Sequence, residues 1–225
     1  MEKWLPMATL GWGLLAVVSA ASSPGELSPG RIRVACVGDS ITYGQGLGNP
    51  AAESYPAVLQ SLLGSGYEVR NFGVSGATAL RGGSLPYWIL PELEAAKRFA
   101  PNVVILMLGT NDAHLQNRDE RQKFREDLRA LARQFAELES RPAMFLGLPP
   151  PCYGIMHIYH ESVLKREILP AIRRVASEEP WMLVDVHAAL SDQARWFPDG
   201  VHPNAAGAAA IARTVYEQLK IISVK

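Results

Sequence analysis

Ser40, Asp199 and His202 are the residues whose types could do chemistry together, although the first lies near one end of the chain and the others near the opposite end. A serine hydroxyl is a poor nucleophile until a base removes its proton, and a histidine oriented by a carboxylate is such a base. Ser40 closes the turn Gly38-Asp39-Ser40 after an apolar run, and Asp199-Gly200-Val201-His202 places the acid and the imidazole within one turn of each other. As a set they imply nucleophilic acyl transfer. Ser40 would attack a carbonyl carbon, His202 would take the hydroxyl proton, and Asp199 would hold the imidazole tautomer and stabilise the imidazolium. Each piece alone has a plainer reading as a turn or a helix start, because Gly, Asp, Ser and Pro all favour such places. The conjunction carries the catalytic reading.

Two further positions suit the negative charge that develops on the carbonyl oxygen. Gly76, in Asn71-Phe72-Gly73-Val74-Ser75-Gly76, lets a backbone N–H approach a substrate closely, and Asn111, in Leu108-Gly109-Thr110-Asn111-Asp112, offers a side-chain amide. With the Ser40 N–H they would form an oxyanion hole, in which one side-chain donor is typically worth about 2.7–4 kcal/mol.

These residues must be positioned by regular elements, and the hydrophobic pattern supplies them. Short apolar runs at Ile32–Val37, Tyr67–Phe72, Val103–Leu108, Ala143–Leu148 and Met182–Val186 read as strands. Between them, helices are expected after Ser54-Tyr55-Pro56 with a stop at Gly64, over Pro91–Phe99, along Phe124, Leu128, Leu131, Phe135 and Leu138, around Ser162–Ala176, and from Pro203 to the end. Strands alternating with helices give an α/β fold with a parallel sheet covered on both faces. In such sheets ligands lie beyond the carboxyl ends of the strands. Ser40, Gly76 and Asn111 each follow a strand, so three loops should bring them to one rim.

Gly38-Asp39-Ser40, Gly76, Gly109-Thr110-Asn111-Asp112 and Asp199-x-x-His202 together resemble the four blocks of the GDSL, or SGNH, hydrolase family, over nearly the whole chain from about Val34 onward. The resemblance implies a three-layer α/β/α, flavodoxin-like fold with a five-stranded parallel sheet, and esterase, lipase, thioesterase or carbohydrate acetylesterase activity. It assigns Ser40 as nucleophile, Gly76 and Asn111 as oxyanion donors, Asp199 as the orienting acid and His202 as the base, with no cofactor or metal. Thr110 stands where many members carry a second glycine, and is expected to narrow the rim. Gly38–Gly46 with Tyr55-Pro56, and Asn71–Thr78, look like secreted bacterial members often assigned as sialate or polysaccharide O-acetylesterases. A lysophospholipase or thioesterase of the same fold is the alternative, and a non-catalytic glycan-binding protein a more distant one.

With 225 residues and 48% hydrophobic content the chain can bury one core, so a single domain over 31–225 is expected. Lys+Arg and Asp+Glu are both 22, which argues against a nucleic-acid or anionic-membrane partner. Lys3, the apolar stretch Leu10–Val18 and the small residues around Ser19-Ala20 have the layout of a signal peptide over residues 1–20, cleaved near Ala20. A short linker over 21–30 would follow, and the mature protein would be secreted or periplasmic without a stable membrane anchor. Cys36, inside a strand, and Cys152, on an expected surface loop, are read as free thiols.

Ser75 lies in Gly73-Val74-Ser75-Gly76-Ala77, close to the nucleophile elbow of α/β-hydrolases, but no His-Gly-Gly-Gly segment precedes it and Ser40 would be left without a role. His157 and His160 lack spaced partners that would complete a metal site. Tyr87, Trp88 and Trp196 flank the blocks, and their faces would suit a sugar ring or support the catalytic loops from below. If His202 is the base, the rate must fall as pH drops and the imidazole takes a proton. A rate profile across pH about 5–8, where imidazoles ordinarily titrate, checks this, and a flat profile would count against His202.

Overall fold

The structure is a computed structural model, and it describes Met1 and residues 30–154 and 161–222. The expected signal peptide and nearly all of the linker, as well as His157 and His160, lie outside the described residues. The chain runs β1 (Ile32–Gly38), α1 (Ser40–Tyr43), α2 (Pro50–Glu53), α3 (Tyr55–Leu63), β2 (Tyr67–Gly73), α4 (Pro91–Arg98), β3 (Val103–Met107), α5 (Phe124–Ala136) and β4 (Ala143–Leu148). It continues through α6 (Glu161–Val163), a π-helical turn (Leu164–Ile168), α7 (Leu169–Glu178), β5 (Met182–Asp185), α8 (Val186–Ala189) and α9 (Ala205–Ile222).

All five strands are parallel, in the order β2-β1-β3-β4-β5. Side chains alternate across a strand, and here both alternating sets are apolar. Ala35, Val37, Val104, Leu106, Met144 and Leu146 pack under α4, α5 and α7. Val34, Cys36, Ile105, Met107, Phe145 and Val184 pack under α3 and α9 on the opposite face. The result is the three-layer architecture expected from the pattern. The chain leaves β1 toward β2 and leaves β3 toward β4, so the connections diverge between adjacent strands β1 and β3. That divergence opens a crevice at the carboxyl ends, the usual ligand position in this strand order.

Two helices differ in detail from the sequence-based expectation. The last helix begins at Ala205 rather than Pro203, because Asn204 caps it: its side chain accepts from Gly207 N (3.1 Å) and its carbonyl from Ala208 N (2.9 Å). The helix expected around Ser162–Ala176 is present but passes through the π-helical turn before Pro170. Proline has no N–H to donate to the preceding turn, and the wider turn accommodates that loss.

The carboxyl ends of β1 and β2 are locked by an unusually close contact. A Cβ placed on Gly73, the last residue of β2, would lie 2.2 Å from Tyr43 N in α1. Asn71 clamps the same turn, donating from Nδ2 to Thr42 O (2.8 Å) and Tyr43 O (3.3 Å) and accepting from Gly73 N (2.9 Å). Gly73→Ala must push backbone against backbone, so it should lower stability by about 1–3 kcal/mol, the usual cost of overpacking. Urea denaturation measures this; an unchanged midpoint would show that the two segments separate freely.

Candidate active site

Ser40 opens the one-turn helix α1 directly after β1. Asp39 caps that helix by accepting from Ile41 N through Oδ1 (3.0 Å), and Gly44 closes it at a positive φ of 97°. The serine is therefore presented on a tight, braced turn at the end of a buried strand. His202 reaches it from the loop before α9: Nε2 lies 2.8 Å from Ser40 Oγ. On the other side of the ring, Nδ1 lies 2.6 Å from Asp199 Oδ2.

The Asp199 carboxylate is itself held in place. Its Oδ1 accepts from Val201 N (2.9 Å) and His202 N (2.7 Å), leaving Oδ2 for the imidazole. With Oδ2 as the acceptor, Nδ1 carries the proton and Nε2 presents its lone pair to the serine hydroxyl. Burial alone would raise the Asp199 carboxyl, but the His202 amide and ring and the Val201 amide outweigh it and hold the carboxyl below its usual value. The carboxylate therefore favours folding at neutral pH, and that contribution is lost only as pH falls through the lowered pKa.

The other two rim loops come from β2 and β3. Gly76 has a φ of 85°, a conformation natural to glycine. Among the described residues, neither its N–H nor that of Ser40 donates to a protein acceptor, so both remain available to a substrate oxygen. Asn111 follows β3 and is buried; its Nδ2 donates to Ala77 O (3.0 Å), which orients the amide beside the Gly76 turn. The structure thus brings Ser40, Gly76 and Asn111 to one rim, at the crevice between β1 and β3.

Several residues that sequence reasoning gave no part hold this rim. Asp112 is completely buried and accepts from Ala79 N (3.2 Å) and Leu80 N (2.9 Å), tying the loop after β2 to the loop after β3. Asn117 donates to Asn111 O (2.8 Å) and accepts from Ser84 N (2.9 Å). Tyr153 N donates to Gly200 O (2.7 Å) and its ring packs on Phe197 at 5.1 Å, so the segment after β4 is strapped across the catalytic loop. Glu161 accepts from Cys152 N (2.9 Å) and pairs with the buried His187 at 3.0 Å, anchoring that strap. Only Asp112 had a visible signal, as the neighbour of Asn111 in its block.

The profile of the GDSL-like lipase/acylhydrolase family matches residues 36–210, the span that carries every one of these loops. The chain belongs to this family. An acetylxylan esterase from Xylanibacter ruminicola is 35% identical over 207 residues, covering 84% of this chain and 43% of that protein. The chain thus spans less than half the length of that relative. Among solved structures, a protein from Agrobacterium tumefaciens assigned as an arylesterase aligns at a TM-score of 0.69 and 26% identity, over 85% of this chain and 99% of that one. A carbohydrate acetylesterase family member from Sinorhizobium meliloti aligns at 0.65 and 23%, over 84% and 98%; at that identity it speaks for the fold.

Within this GDSL-family site, two expectations, at Tyr87 and Trp88, need correcting. Tyr87 is completely buried and gives its hydroxyl to Phe72 O (2.6 Å), so it is a strut of the core and cannot touch a sugar. Trp88 is half-buried, donates to Ala79 O (2.8 Å) and is covered by the Arg81 guanidinium at 3.7 Å from the ring centre; it too braces the loop after Gly76. Trp196 packs against the core beside α9, and its carbonyl accepts from Asn204 N (2.7 Å), the support reading rather than the sugar one. Thr110 is buried, and its hydroxyl, without a hydrogen bond of ordinary geometry, acts to lower the Asp39 carboxyl against the larger effect of burial.

Burial dominates at Asp39 and Asp112 and pushes both carboxyls up to about 7, despite amide hydrogen bonds that lower them. Cys152 is buried among apolar side chains rather than on a surface loop, because the segment after β4 turns inward to meet Glu161. Both cysteines are free, and burial pushes each thiol up to about 12, so neither competes with Ser40 as a nucleophile. Ser75 is exposed and has no hydrogen bond to His202. Among the described residues no helix is long and apolar enough to cross a membrane, and no cluster of His, Cys, Asp or Glu is placed to hold a metal.

If Asn111 supplies an oxyanion donor, Asn111→Ala should reduce kcat by about 10²–10³ while KM changes little. Steady-state kinetics on a small ester checks this, and a loss below about tenfold would remove Asn111 from that role.

Proposed function

We propose that this protein is a serine esterase that removes O-acetyl groups from a carbohydrate, with polysaccharide favoured over sialic acid. The observation that carries the reaction type is the continuous relay Ser40 Oγ–His202 Nε2 at 2.8 Å and His202 Nδ1–Asp199 Oδ2 at 2.6 Å. Ser40 attacks the acetyl carbonyl carbon as His202 takes the hydroxyl proton. The oxygen of the tetrahedral intermediate faces the Ser40 and Gly76 amides and the Asn111 side chain. Collapse expels the sugar oxygen, which takes the proton back from His202, and leaves acetyl on Ser40. Water, deprotonated by His202, then attacks the acetyl-serine, and acetate is released as His202 returns that proton to Ser40 Oγ.

The substrate class is supported by the acetylxylan esterase relative at 35% identity. The same hydrolytic chemistry would serve a lysophospholipase or thioesterase. That reading needs an apolar channel for a long acyl chain beside Ser40. Export before action on such a polymer is part of the proposal, supported by the Leu10–Val18 run behind Lys3.

Acetate release from acetylated xylan and from O-acetylated sialic acid, with the parent protein beside Ser40→Ala, tests the reading. The expected result is release from xylan, reduced at least about 10⁴-fold in the variant, as for loss of a serine nucleophile. Cleavage of p-nitrophenyl esters that rises with chain length beyond about six carbons would instead favour the long-acyl reading, since each buried CH₂ is worth about 0.8 kcal/mol. Mass spectrometry of the exported protein should show Ala21 as the first residue, and a retained Met1 would overturn the export proposal.

A further inference from the structure

A second concavity shares Tyr43 with the turn that carries Ser40. It is a cleft of about 800 Å3, the size range of small-molecule and oligosaccharide sites, and it follows the exposed edge of the sheet. One wall is Val69, Asn71 and Gly73, alternate residues of the edge strand β2; the other is the outer surface of α2 and α3, with Ala51, Ala57 and Ser61. Tyr43 stands at its inner end. Ser40 and Tyr43 are the first and last residues of α1, and residues three apart on a helix are neighbours on its surface. The cleft therefore lies beside the turn that carries the nucleophile.

Tyr43 is itself unlike the other aromatic side chains near the site. Tyr55, Tyr87 and Phe197 are buried, but Tyr43 is 51% exposed. Its backbone is fixed all the same, by the Asn71 clamp and by the close approach of Gly73. An aromatic face that projects from an immobile backbone loses little freedom on binding, which is what a stacking platform requires. The wall behind it is equally stiff. Gln60 donates to Gly64 O and Tyr67 O and accepts from Val69 N, pinning α3 to β2.

The chemistry of the lining selects one class of occupant. There is no Lys or Arg, and one carboxylate, Glu92, so an anionic sugar or a phosphorylated headgroup would meet no counter-charge. Apart from Val69 no aliphatic side chain larger than alanine or proline is present, so an acyl chain would find little to pack against. The Tyr43 hydroxyl and the Glu92 carboxylate, with the Ser61 oxygen as an acceptor while its proton is given to Ala57 O, can hydrogen-bond a neutral polyol.

We propose that this cleft is a subsite for an unsubstituted stretch of a neutral polysaccharide chain, stacked on Tyr43, while an acetylated sugar of the same chain lies at Ser40. The inference rests on the carbohydrate reading of the catalytic site and names the part of the substrate that lies outside it. The acetyl group is removed at one sugar, and the cleft holds the neighbours that carry it there.

Two measurements separate this inference from the reading it rests on. The first is calorimetric binding of xylohexaose, which has no acetyl group to cleave, to the parent protein, to Tyr43→Ala and to Ala57→Trp, which fills the cleft from α3. Binding should weaken about five- to tenfold in each variant, the size expected from losing one aromatic contact, and Tyr43→Trp should restore it. The second is the ratio of kcat/KM on acetylated xylo-oligosaccharide to that on p-nitrophenyl acetate, which should fall by a similar factor in Tyr43→Ala. No xylohexaose binding, binding indifferent to both variants, or tighter binding of an anionic sialyl-oligosaccharide would overturn the subsite. If xylohexaose binds through Tyr43 but acetylated xylan releases no acetate, the subsite stands and the deacetylase reading fails.

Discussion

A hydroxyl is not made nucleophilic by a base it does not touch, so the 2.8 Å contact between Ser40 and His202 sets the terms for the rest of the chain. The two residues belong to opposite ends of the sequence, and no local structure could join them. What joins them is a sheet in which all five strands run the same way, so that every carboxyl end opens onto one rim. β1 delivers Ser40 to that rim, and α9, packed with α3 on one face, brings the loop carrying Asp199 and His202 over it. The register of a buried strand is strongly specified, because slipping by one residue exchanges its two faces. Here both faces are apolar, so it is the fit of Val34, Cys36 and Val37 against their neighbours that fixes where Ser40 stands.

The loops of the rim are held by polar groups inside the protein rather than by their own regularity. Asp112, Asn117 and Trp88 each donate to or accept from backbone groups of a loop. Buried backbone amides and carbonyls are costly when unpaired, so such side chains determine a loop conformation as firmly as a helix would. The arrangement carries an electrostatic consequence. The carboxyls of Asp39 and Asp112 hold protons in the folded protein to about pH 7, whereas an unfolded chain gives them up near the ordinary carboxylate value. Their contribution to stability is therefore greatest in acid and declines as pH rises toward 7, opposite in sign to that of Asp199. The turn beneath the nucleophile and the relay above it respond to pH in opposite directions.

On the proposed reading, the catalytic rim and the edge cleft divide the work of recognition. The rim presents the relay of Ser40, His202 and Asp199 to the reacting group. The cleft along β2 lacks basic residues and presents one exposed aromatic ring on a fixed backbone. An edge strand normally has to be protected from pairing with another chain. In this protein α2, α3 and the Asn71 clamp flank part of that edge, and the concavity they leave is the surface on which substrate selection can act.

By itself the sequence determined the layer order, the strand boundaries to within a residue or two and the identity of the triad. It could do so because apolar runs bounded by glycine and proline report strands directly, and because Ser40, Asp199 and His202 are chemically unusual in combination. It also pointed to Gly76 and Asn111 through their blocks. What only the tertiary structure decided is what those residues lean on. Tyr87 and Trp88 look like sugar platforms in a linear reading, and their burial and hydrogen bonds make them struts. Tyr43 carried no signal, since an aromatic residue in a one-turn helix is as often packed as exposed. Glu161 and Tyr153 were equally silent, because their partners, His187, Cys152 and Gly200, are near them only in the folded chain. Periodicity records which face of an element is buried; it does not record which distant carbonyl a side chain will meet there, and that meeting is what shapes the site.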